Sequence, residues 1–414
     1  MSDVVVGLDI GTSSVRAVIG EIAEDEKLQI TGVGKAASTG LRNGVIVNIE
    51  STMRSITEAV EAAEMMSGKE VASVVTGIGG SSVESLNSTG IVAVSSHGSS
   101  IREIKEEDVS RVIDAAKAVP VPLDRQILHV VPRSYTIDGQ QGIKQPIDMI
   151  GTRLEADVHI VTAAVTSMQN IIRCVGRAGY EVDGVMLKTL ASSQAVMTDE
   201  EKDLGSIVID LGGGSTDALV IADGAPFCTA SVPIGGNAVT NDISIVCGIS
   251  FDVAERIKLS SGCGWEPLLD SYEEVIIPGV GGRPPETISR NEICRIIQPR
   301  LMETLSDLRD KIGASVKDKH LLGNIILVGG GAMMPGIVDV VSEVFDTSSV
   351  RIGTPGNFGG LLDEYSRPEY AAAVGLVVSN LDKRRSIEVR SGDSSQPKGK
   401  NIFSAVTGWF KEFF

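Results

Sequence analysis

The sequence predicts a two-lobed α/β protein with a duplicated core, two inserted subdomains and a C-terminal amphipathic helix. Three observations lead to this prediction. A strand, glycine turn and strand pattern occurs twice, at Asp9 and again at Asp210. Segments with helical periodicity follow the strands in both halves, as expected for α/β lobes. The final residues, 401–414, place aromatic side chains on one helical face.

The duplication rests on two stretches with the same order of elements. A β-branched run at 4–9 ends in Asp9 just before Gly11, and apolar stretches at 15–22 and 28–33 complete a predicted antiparallel meander. The second copy lies 201 residues later, at 207–210, 212–214, 218–222 and 227–233. Matching residues are Asp9 and Asp210, Gly11 and Gly212, Ser14 and Ser215, and Ala17 and Ala218. Because spacing and strand pattern agree, we infer an internal repeat.

Two segments have elements of their own and are interpreted as inserts. Residues 81–164 contain predicted strands at 126–131, 134–137 and 156–162 and a helix at 107–119. Residues 243–302 contain a helical stretch and a loop rich in glycine and proline. Further helices are predicted at 50–66 and 291–312, and Pro299 is expected to kink or restart the second of these.

Composition excludes several classes of protein. The chain has 414 residues, of which 42% are hydrophobic and 22% charged, and this balance argues against wholesale disorder. No apolar run reaches the ~20 residues of a transmembrane helix, and the first residues lack a signal-peptide pattern. We therefore expect a cytosolic protein. Five cysteines without C-x-x-C spacing and four separated histidines argue against a disulfide framework or a His/Cys metal site.

Charge is distributed unevenly along the chain. The net charge is −17, but residues 382–414 carry seven basic and four acidic side chains. An acidic body disfavours nonspecific binding of nucleic acid, whereas a basic tail suits an anionic surface.

The paired glycine turns predict a site for a nucleotide. Glycine lets backbone N–H groups approach phosphate oxygens closely, and a carboxylate beside the turn can hold a hydrated Mg²⁺ that bridges those phosphates. Asp9 and Asp210 are therefore the candidate metal ligands. Candidate nucleotide-binding residues in the two turns are Gly11, Thr12, Ser13, Gly212, Gly213, Gly214, Ser215 and Thr216. Two such turns in a repeated frame favour a nucleotide cleft over two unrelated hairpins.

Three further elements are candidates for the same site. A glycine run with Gly329, Gly330, Gly331 and Met333 lies between a predicted strand at 325–328 and a helix at 337–345, where an adenosine or phosphate group often docks. The second meander ends in Gly235, Gly236 and Asn237. Glu255 and Lys258 share a helix face and could reach a ribose and base, although an exposed ion pair explains them equally well.

The C-terminal segment predicts a membrane-binding helix. A polar, aperiodic stretch precedes it, so residues 382–400 are interpreted as a flexible linker. On a helical projection the apolar side chains fall within an arc of ~140°. They are Ile402, Phe403, Val406, Trp409, Phe410, Phe413 and Phe414. Aromatic residues with flanking lysines suit the interface of an anionic bilayer, and docking on the protein body or on a partner is the alternative.

These elements, in this order, resemble the actin/Hsp70/sugar-kinase ATPase superfamily, which has an actin-like (ribonuclease H-like) fold. The superfamily's phosphate, adenosine and connecting-helix motifs resemble residues 8–18, 209–220, 326–336, 184–197 and 369–378. Within the superfamily the chain is similar to the FtsA family of bacterial cell-division proteins. The stretches that carry this resemblance are 127–138, 190–193, 236–243 and 280–285, and the resemblance covers almost the whole chain.

The resemblance implies a subdomain plan, cofactors and partners. Subdomain 1A would comprise 1–80, 165–190 and 350–381, 1C would comprise 81–164, 2A would comprise 191–242 and 303–349, and 2B would comprise 243–302. ATP and Mg²⁺ would bind between the lobes, and the chain would assemble with itself into protofilaments. It would tether FtsZ filaments to the cytoplasmic face of the bacterial cell membrane at the division site and recruit later division proteins.

The FtsZ C-terminal peptide is expected to bind the 2B segment. Basic side chains there would meet an acidic peptide by charge complementarity. They are Arg283, Arg290, Arg295 and Arg300. For any single one of them, a solvated helix face is the favoured interpretation.

The expected rate of ATP hydrolysis is slow or zero, and the catalytic residues stay undefined. Hydrolysing relatives often have Glu or Gln at the start of the connecting helix, whereas this sequence has Lys188, which cannot act as a base while protonated. Gln194 is close enough in sequence to compensate. Two other functions stay open: an actin-like scaffold for cell shape or pilus assembly, and a sugar-kinase-like phosphotransferase.

Overall fold

The computed structural model describes residues 4–23, 28–94, 101–270, 273–279, 284–316, 323–356, 358–360 and 363–391. Several predicted residues lie outside these ranges. They are Arg283 and the membrane helix 401–414, together with linker residues 392–400.

The described residues form twenty β-strands and ten α-helices. The strands are β1 (Val4–Ile10), β2 (Ser14–Ile22), β3 (Leu28–Ala37), β4 (Leu41–Arg42), β5 (Val45–Ile46), β6 (Ser73–Ile78), β7 (Val83–Ala93), β8 (Arg102–Glu103), β9 (Arg125–Ile137), β10 (Gln140–Ile143), β11 (Ile150–Gly151), β12 (Arg153–Ala164), β13 (Glu181–Leu187), β14 (Ser206–Leu211), β15 (Thr216–Ala222), β16 (Ala225–Val232), β17 (Glu274–Ile277), β18 (Glu286–Ser289), β19 (Ile325–Val328) and β20 (Val350–Ile352). The helices are α1 (Ile49–Ser67), α2 (Glu106–Ala116), α3 (Val165–Arg177), α4 (Lys188–Val196), α5 (Asp199–Leu204), α6 (Gly236–Cys247), α7 (Phe251–Ser261), α8 (Arg290–Ser315), α9 (Ile337–Phe345) and α10 (Ala371–Ser391).

Two five-stranded sheets with the same topology form the two lobes. The first sheet has the order β13-β6-β1-β2-β3, and the second has the order β20-β19-β14-β15-β16. In each, the first three strands along the chain are antiparallel neighbours and the last two run parallel to the first. Each strand of one sheet therefore has a counterpart in the other, which confirms the predicted duplicated α/β core.

The repeat extends to individual hydrogen bonds. Leu8 lies opposite Ala17 in the first sheet, and Ile209 lies opposite Ala218 in the second. In both glycine turns the amide of the first glycine donates to a serine carbonyl three residues later, Gly11 to Ser14 and Gly212 to Ser215, each at 3.0 Å. The alignment on Asp9 and Asp210 is therefore also the structural alignment.

Each sheet is covered by helices whose apolar faces point towards it. Helix α1 starts at Asn48, whose side chain accepts a hydrogen bond from the Ser51 amide, and ends at Gly68 in a left-handed conformation. Its buried face includes Ile56, Ala59, Val60 and Ala63, at the spacing expected for an amphipathic helix. In the second lobe, α8 and α9 contribute buried residues to the core around β14 and β19.

The first insert is a four-stranded antiparallel sheet, β10-β9-β12-β7, with α2 packed on it and a hydrophobic core of its own. The prediction of two strands at 126–131 and 134–137 was wrong, because β9 is continuous. Its register against β12 shifts between Pro132 and Ser134, so Arg133 forms a bulge. Proline lacks an N–H and bulges interrupt the alternation of side chains, which makes one strand resemble two in the sequence.

The second insert packs α6, α7, the β17–β18 hairpin and the first half of α8 around another buried core. Helix α8 runs from Arg290 through Pro299 to Ser315 without restarting. Its N-terminus has a capping box in which Ser289 and Glu292 bond each other's backbone amides.

Helices α4 and α10 pack against each other, and both begin next to the cleft between the lobes. Helix α10 continues to Ser391, so residues 382–391, predicted as the start of a linker, are helical. These residues include Lys383, Arg384 and Arg385, which are good helix formers despite their polarity. Among the described residues, no helix combines the length and apolar character needed to cross a membrane.

Candidate functional site

A cavity of about 600 Å³ lies between the two lobes. Both glycine turns line it, the first with Gly11, Thr12 and Ser13 and the second with residues 212–216. The predicted metal ligands Asp9 and Asp210 line it as well. The candidate residues from both halves of the chain therefore line one cavity.

The two turns approach each other so closely that glycine is required in the second. A Cβ atom on Gly213 would lie 2.0 Å from the Ser13 Oγ atom, and one on Gly214 would lie 2.5 Å from the Thr12 Oγ1 atom. Such distances exclude a side chain unless the facing residue moves. The turns thus present backbone and small hydroxyl groups to the cavity, the surface that a phosphate chain needs.

The start of helix α6 is joined to the second turn. The Gly236 amide donates to the Gly212 carbonyl at 2.9 Å, and the Asn237 amide donates to the Gly213 carbonyl at 2.8 Å. Gly235 and Gly236 line the cavity. Asn237 does not, but its side-chain oxygen accepts a 3.4 Å hydrogen bond from Ser13 of the opposite turn.

The third glycine element reaches the same cavity through Gly329, Gly330, Gly331 and Met333. Gly329 has φ +83°, and a Cβ atom there would lie 2.2 Å from the Asp210 Oδ1 atom. The predicted strand at 325–328 and helix at 337–345 flank this element, and a 3₁₀ turn at Gly330–Met333 lies between them.

Glu255 and Lys258 lie at the cavity wall formed by α7 and α6. The Lys258 ammonium is 2.7 Å from Glu255 Oε2 and donates to Thr240 Oγ1 at 2.8 Å and to the Gly236 carbonyl at 3.2 Å. The pair is therefore not a free surface ion pair, because it is bonded to the first turn of α6.

An acidic cluster lies where the two sheets meet the cavity. It includes Asp217, which sequence reasoning missed although it stands directly opposite Asp210 in the β14–β15 register. Asp217 accepts hydrogen bonds from Ser215 Oγ at 2.8 Å and the Gly80 amide at 3.2 Å. Burial, together with the charges of Asp217 and Asp9, raises the pKa of Asp210 to about 7, and burial also raises the pKa of Asp217.

Two cations from the first lobe face these acids. Lys188, the first residue of α4, places its ammonium 2.7 Å from Asp9 Oδ1. The Arg16 guanidinium lies 3.8 Å from Asp9 Oδ2, is ion-paired with Glu369 and stands over the Tyr370 ring. Arg16 holds in the first repeat the position that Asp217 holds in the second. A comparison of the residues that face Asp9 and Asp210 in the two repeats could have revealed Arg16 and Asp217 from the sequence.

Three of the four arginines predicted to bind a partner lie among the described residues, and each of the three is ion-paired within the chain. Arg290 contacts Glu273 at 2.5 Å, Arg295 contacts Glu266 at 2.8 Å, and Arg300 contacts Asp242 at 2.7 Å. Arg295 is the most open of these, with 67% of its side chain exposed. These acidic neighbours lie 17 to 58 residues away in sequence and were not identified from the sequence alone.

Comparison with known proteins agrees with this architecture. The family model described as Cell division protein FtsA matches residues 207–375, and the model described as SHS2 domain inserted in FTSA matches residues 80–162. Among solved structures, the PilM–PilN type IV pilus biogenesis complex aligns with a TM-score of 0.64 at 16% identity, covering 90% of this chain and 97% of that chain. MreB 5 of Spiroplasma citri bound to AMPPNP aligns with a TM-score of 0.54 at 16% identity, covering 94% and 98%. These two likenesses show an actin-like fold.

Curated relatives are much closer in sequence. Cell division protein FtsA of Borreliella burgdorferi is 43% identical over 414 residues, covering 100% of this chain and 99% of that protein. The proteins of the same name from Pseudomonas aeruginosa and Escherichia coli K12 are 40% and 36% identical, each covering at least 98% of this chain and at least 96% of the relative. Full-length identity at this level confirms the resemblance seen in the sequence and outweighs the pilus and cell-shape alternatives, whose likeness is one of fold. The chain belongs to the FtsA family of bacterial cell-division proteins.

Proposed function

We propose that this chain binds ATP with Mg²⁺ between its lobes, polymerises in an actin-like way and tethers FtsZ filaments to the cytoplasmic face of the cell membrane at the division site. There it recruits later division proteins. The proposal of ATP binding rests on the pair of matched glycine turns that face each other across the cavity. The membrane and partner parts rest on family membership and on the C-terminal sequence.

The cavity suits a nucleotide in size and in lining. Its volume of about 600 Å³ is within the ~300–1,000 Å³ typical of small-molecule sites. The structurally similar protein MreB 5 of Spiroplasma citri was solved bound to ADP and to AMPPNP. In this chain the turns at Gly11 and Gly212 would hold the phosphates, and the wall with Gly330, Glu255 and Lys258 would hold the nucleoside.

The acidic cluster fits a magnesium ion held partly by phosphate. The described residues contain no group of three or more His, Cys, Asp and Glu side chains arranged to hold a metal by themselves. Magnesium in nucleotide sites usually keeps several waters and takes only one or two carboxylates besides the phosphates. Asp9 and Asp210 would supply these carboxylates, and the ion would offset phosphate charge beside them.

Hydrolysis is proposed to be slow. Position 188, where relatives that hydrolyse ATP often have a Glu or Gln, holds a lysine whose ammonium contacts Asp9 and the Ile10 carbonyl. Gln194, the residue considered as a substitute, is not among the residues that line the cavity. ATP would then act as a ligand that favours one conformation and its assembly. Phosphate release at about 1–10 s⁻¹ would contradict this.

The nucleotide proposal can be tested with a substitution that fills the cavity without straining the fold. Gly330 lines the cavity, and a Cβ atom there meets no other atom within 4 Å. We expect Gly330→Leu to weaken ATP binding at least tenfold in isothermal titration calorimetry and to leave the unfolding midpoint within 2–3 °C of wild type. Gly176→Leu, at an exposed position of α3 that is equally open, is the control. Equal ATP affinity for both variants would refute the site.

FtsZ binding is assigned to the second insert and can be tested at its exposed arginine. Reversing the charge with Arg295→Glu should weaken binding of the FtsZ C-terminal peptide, measured by fluorescence anisotropy, and leave ATP binding unchanged. Arg173→Glu, a reversal on exposed α3 in the first lobe, is the control. An equal effect of both variants would mean that only the overall charge of the chain matters.

The membrane anchor is testable by vesicle flotation. Trp409→Glu with Phe410→Glu should abolish binding to vesicles containing anionic lipid without changing ATP affinity. Asn401→Glu with Ser404→Glu adds the same charge on the polar face and should retain binding. Vesicle binding by the Trp409→Glu, Phe410→Glu variant would contradict the proposal that this segment binds the membrane.

A further inference from the structure

We propose that Lys188 supplies a built-in positive charge at the phosphate end of the cleft, so that nucleotide binding by this chain depends only weakly on a divalent cation. Lys188 is thereby a positioning residue for the phosphates. The inference rests on the nucleotide site proposed above and concerns how that site balances charge.

The position of Lys188 is fixed at both ends of its side chain. The residue follows β13 directly and begins α4, and its ammonium lies 2.7 Å from Asp9 Oδ1 while donating to the Ile10 carbonyl at 2.8 Å. With 17% of the side chain exposed, the ammonium is largely sheltered yet lines the cavity. A sheltered charge is screened less by solvent than a surface lysine.

Gly77 in β6 makes room for the aliphatic part of Lys188. A Cβ atom on Gly77 would lie 2.7 Å from the Lys188 Cγ atom and 3.3 Å from its Cε atom. A larger residue at position 77 would therefore push the lysine out of its place. This glycine acts on the site through the lysine, without touching the acids itself.

The charge balance of the cleft explains why the lysine matters. Asp9, Asp210 and Asp217 line the phosphate end of the cavity. The positive charge of Lys188 contacts Asp9 directly and also attracts the carboxylates of Asp210 and Asp217. Arg16, the other cation beside Asp9, is shared with Glu369, and Lys35 of the same cavity is paired with that glutamate as well. Without Lys188, a phosphate chain would meet these acids beside cations that are already paired with Glu369, and it would need a bound cation to offset the repulsion.

The experiment measures the dissociation constant of ATP for the full chain in Mg²⁺ and in EDTA. Hydrogen bonds to charged groups imply losses of roughly 10- to 100-fold when one partner is removed. We expect removal of Mg²⁺ to weaken ATP binding less than about tenfold for wild type. For Lys188→Met, affinity in Mg²⁺ should stay within about threefold of wild type, while affinity in EDTA falls roughly 10- to 100-fold further.

Three more variants separate this role from a purely structural one. Lys188→Arg keeps the charge and should restore most of the binding in EDTA. Gly77→Ala keeps the lysine but displaces its stem, and it should act in the same direction as Lys188→Met. Lys35→Met removes one positive charge at the same cavity, from a side chain paired with Glu369, and serves as the charge-matched control.

The possible failures are distinct. An equal loss for Lys188→Met in both buffers, or the same EDTA effect for Lys35→Met, would overturn the inference alone. If Lys188→Met does not fold, strong Mg²⁺ dependence in Lys188→Arg or its absence in Gly77→Ala would overturn it. Failure of wild type to bind ATP in either buffer would overturn the nucleotide site itself.

Discussion

Gly375 on α10 lies against the backbone of Ala191 on α4, where a Cβ atom at position 375 would fall 1.8 Å from the Ala191 carbonyl oxygen. The two helices that begin at the cleft are thus in direct backbone contact. Lys188 at the start of α4 contacts Asp9, and Glu369, just before α10, pairs with Arg16. The ion pairs at the cavity are therefore made by residues at or next to the starts of two helices that pack directly against each other.

Gly375→Ala should destabilise the protein. The added methyl group has no space beside Ala191, so the helices must separate, at a cost of about 1–3 kcal/mol or more in the free energy of unfolding. Gly313→Ala, in α8 with nothing within 4 Å of the new methyl group, is the matched control and should stabilise by about 0.5–1 kcal/mol. Urea denaturation measures both. A stability increase in both variants would contradict the close contact.

Glu201→Gln should destabilise the second lobe. Glu201 accepts hydrogen bonds from Arg351 at 2.6 and 2.7 Å and from Asn324 at 2.8 Å. Burial opposes ionisation of Glu201, but these bonds and one from the Thr198 amide outweigh it and lower its pKa to about 2. Loss of the charge removes the ionic partner of Arg351, which keeps its hydrogen bond to the Val196 carbonyl, at a cost of about 1–3 kcal/mol.

The pH dependence of this effect has a definite sign. Because the pKa of Glu201 is lower in the folded chain, its ion pair stabilises the fold above the ordinary value of 4.5, and this contribution is lost as the pH falls towards about 2. The stability difference between wild type and Glu201→Gln should narrow over that interval. Glu200→Gln, at the exposed neighbouring position, should show a difference below about 0.5 kcal/mol throughout.

Two buried histidines should make the fold sensitive to mild acid. Burial lowers the pKa of both His129 and His159 to about 3, from an ordinary value of 6.5, and the charge of Arg133 further lowers the pKa of His159. Between these pKa values the unfolded chain therefore binds more protons than the folded chain. The free energy of unfolding consequently decreases as the pH is lowered. Each histidine should account for up to about 2 kcal/mol between pH 6.5 and 5.

Chemical denaturation at several pH values measures this loss. The double variant His129→Gln with His159→Gln removes both titrating groups, while glutamine can still accept the 2.9 Å hydrogen bond that His129 receives from the Leu187 amide. Its stability should change less between pH 6.5 and 5 than that of wild type. An unchanged slope would show that other groups govern the acid response.

The first insert should hold β16 of the opposite lobe in place. Asn87 donates to the Phe227 carbonyl at 3.2 Å, Ser85 accepts from the Thr229 amide at 3.2 Å, and the Arg133 guanidinium stands 4.3 Å above the Phe227 ring. Ser85→Ala with Asn87→Ala should weaken this contact by about 1–3 kcal/mol in total.

Hydrogen exchange resolved to single amides measures the effect on β16. The Thr229 amide should exchange faster in the double variant. The control Ser88→Ala, on β7 like Ser85 and Asn87, should leave the exchange rate of Thr229 unchanged. Unchanged exchange at Thr229 in the double variant would mean that pairing with β15 alone protects the strand.

Much of the architecture could be predicted from local patterns. Strand β19 and helix α9 have the predicted limits, and α1 begins and ends one residue outside its prediction. The duplication was visible because Asp9 and Asp210 each follow an apolar strand and precede a glycine turn. The continuous β9 was missed, since a proline and a bulge at Arg133 interrupt the alternation on which strand prediction depends.

The sequence by itself determined the repeat, its glycine turns and the family, because strand periodicity, turn chemistry and motif order are properties of neighbouring residues. Tertiary structure alone decided which charges meet. It brought Lys188 to Asp9, Glu369 to Arg16 and Glu266 to Arg295. It also made Asp217 part of the cleft. An ion pair depends on distance and burial, and both are set by how separate elements pack, so neither can be read from spacing along the chain.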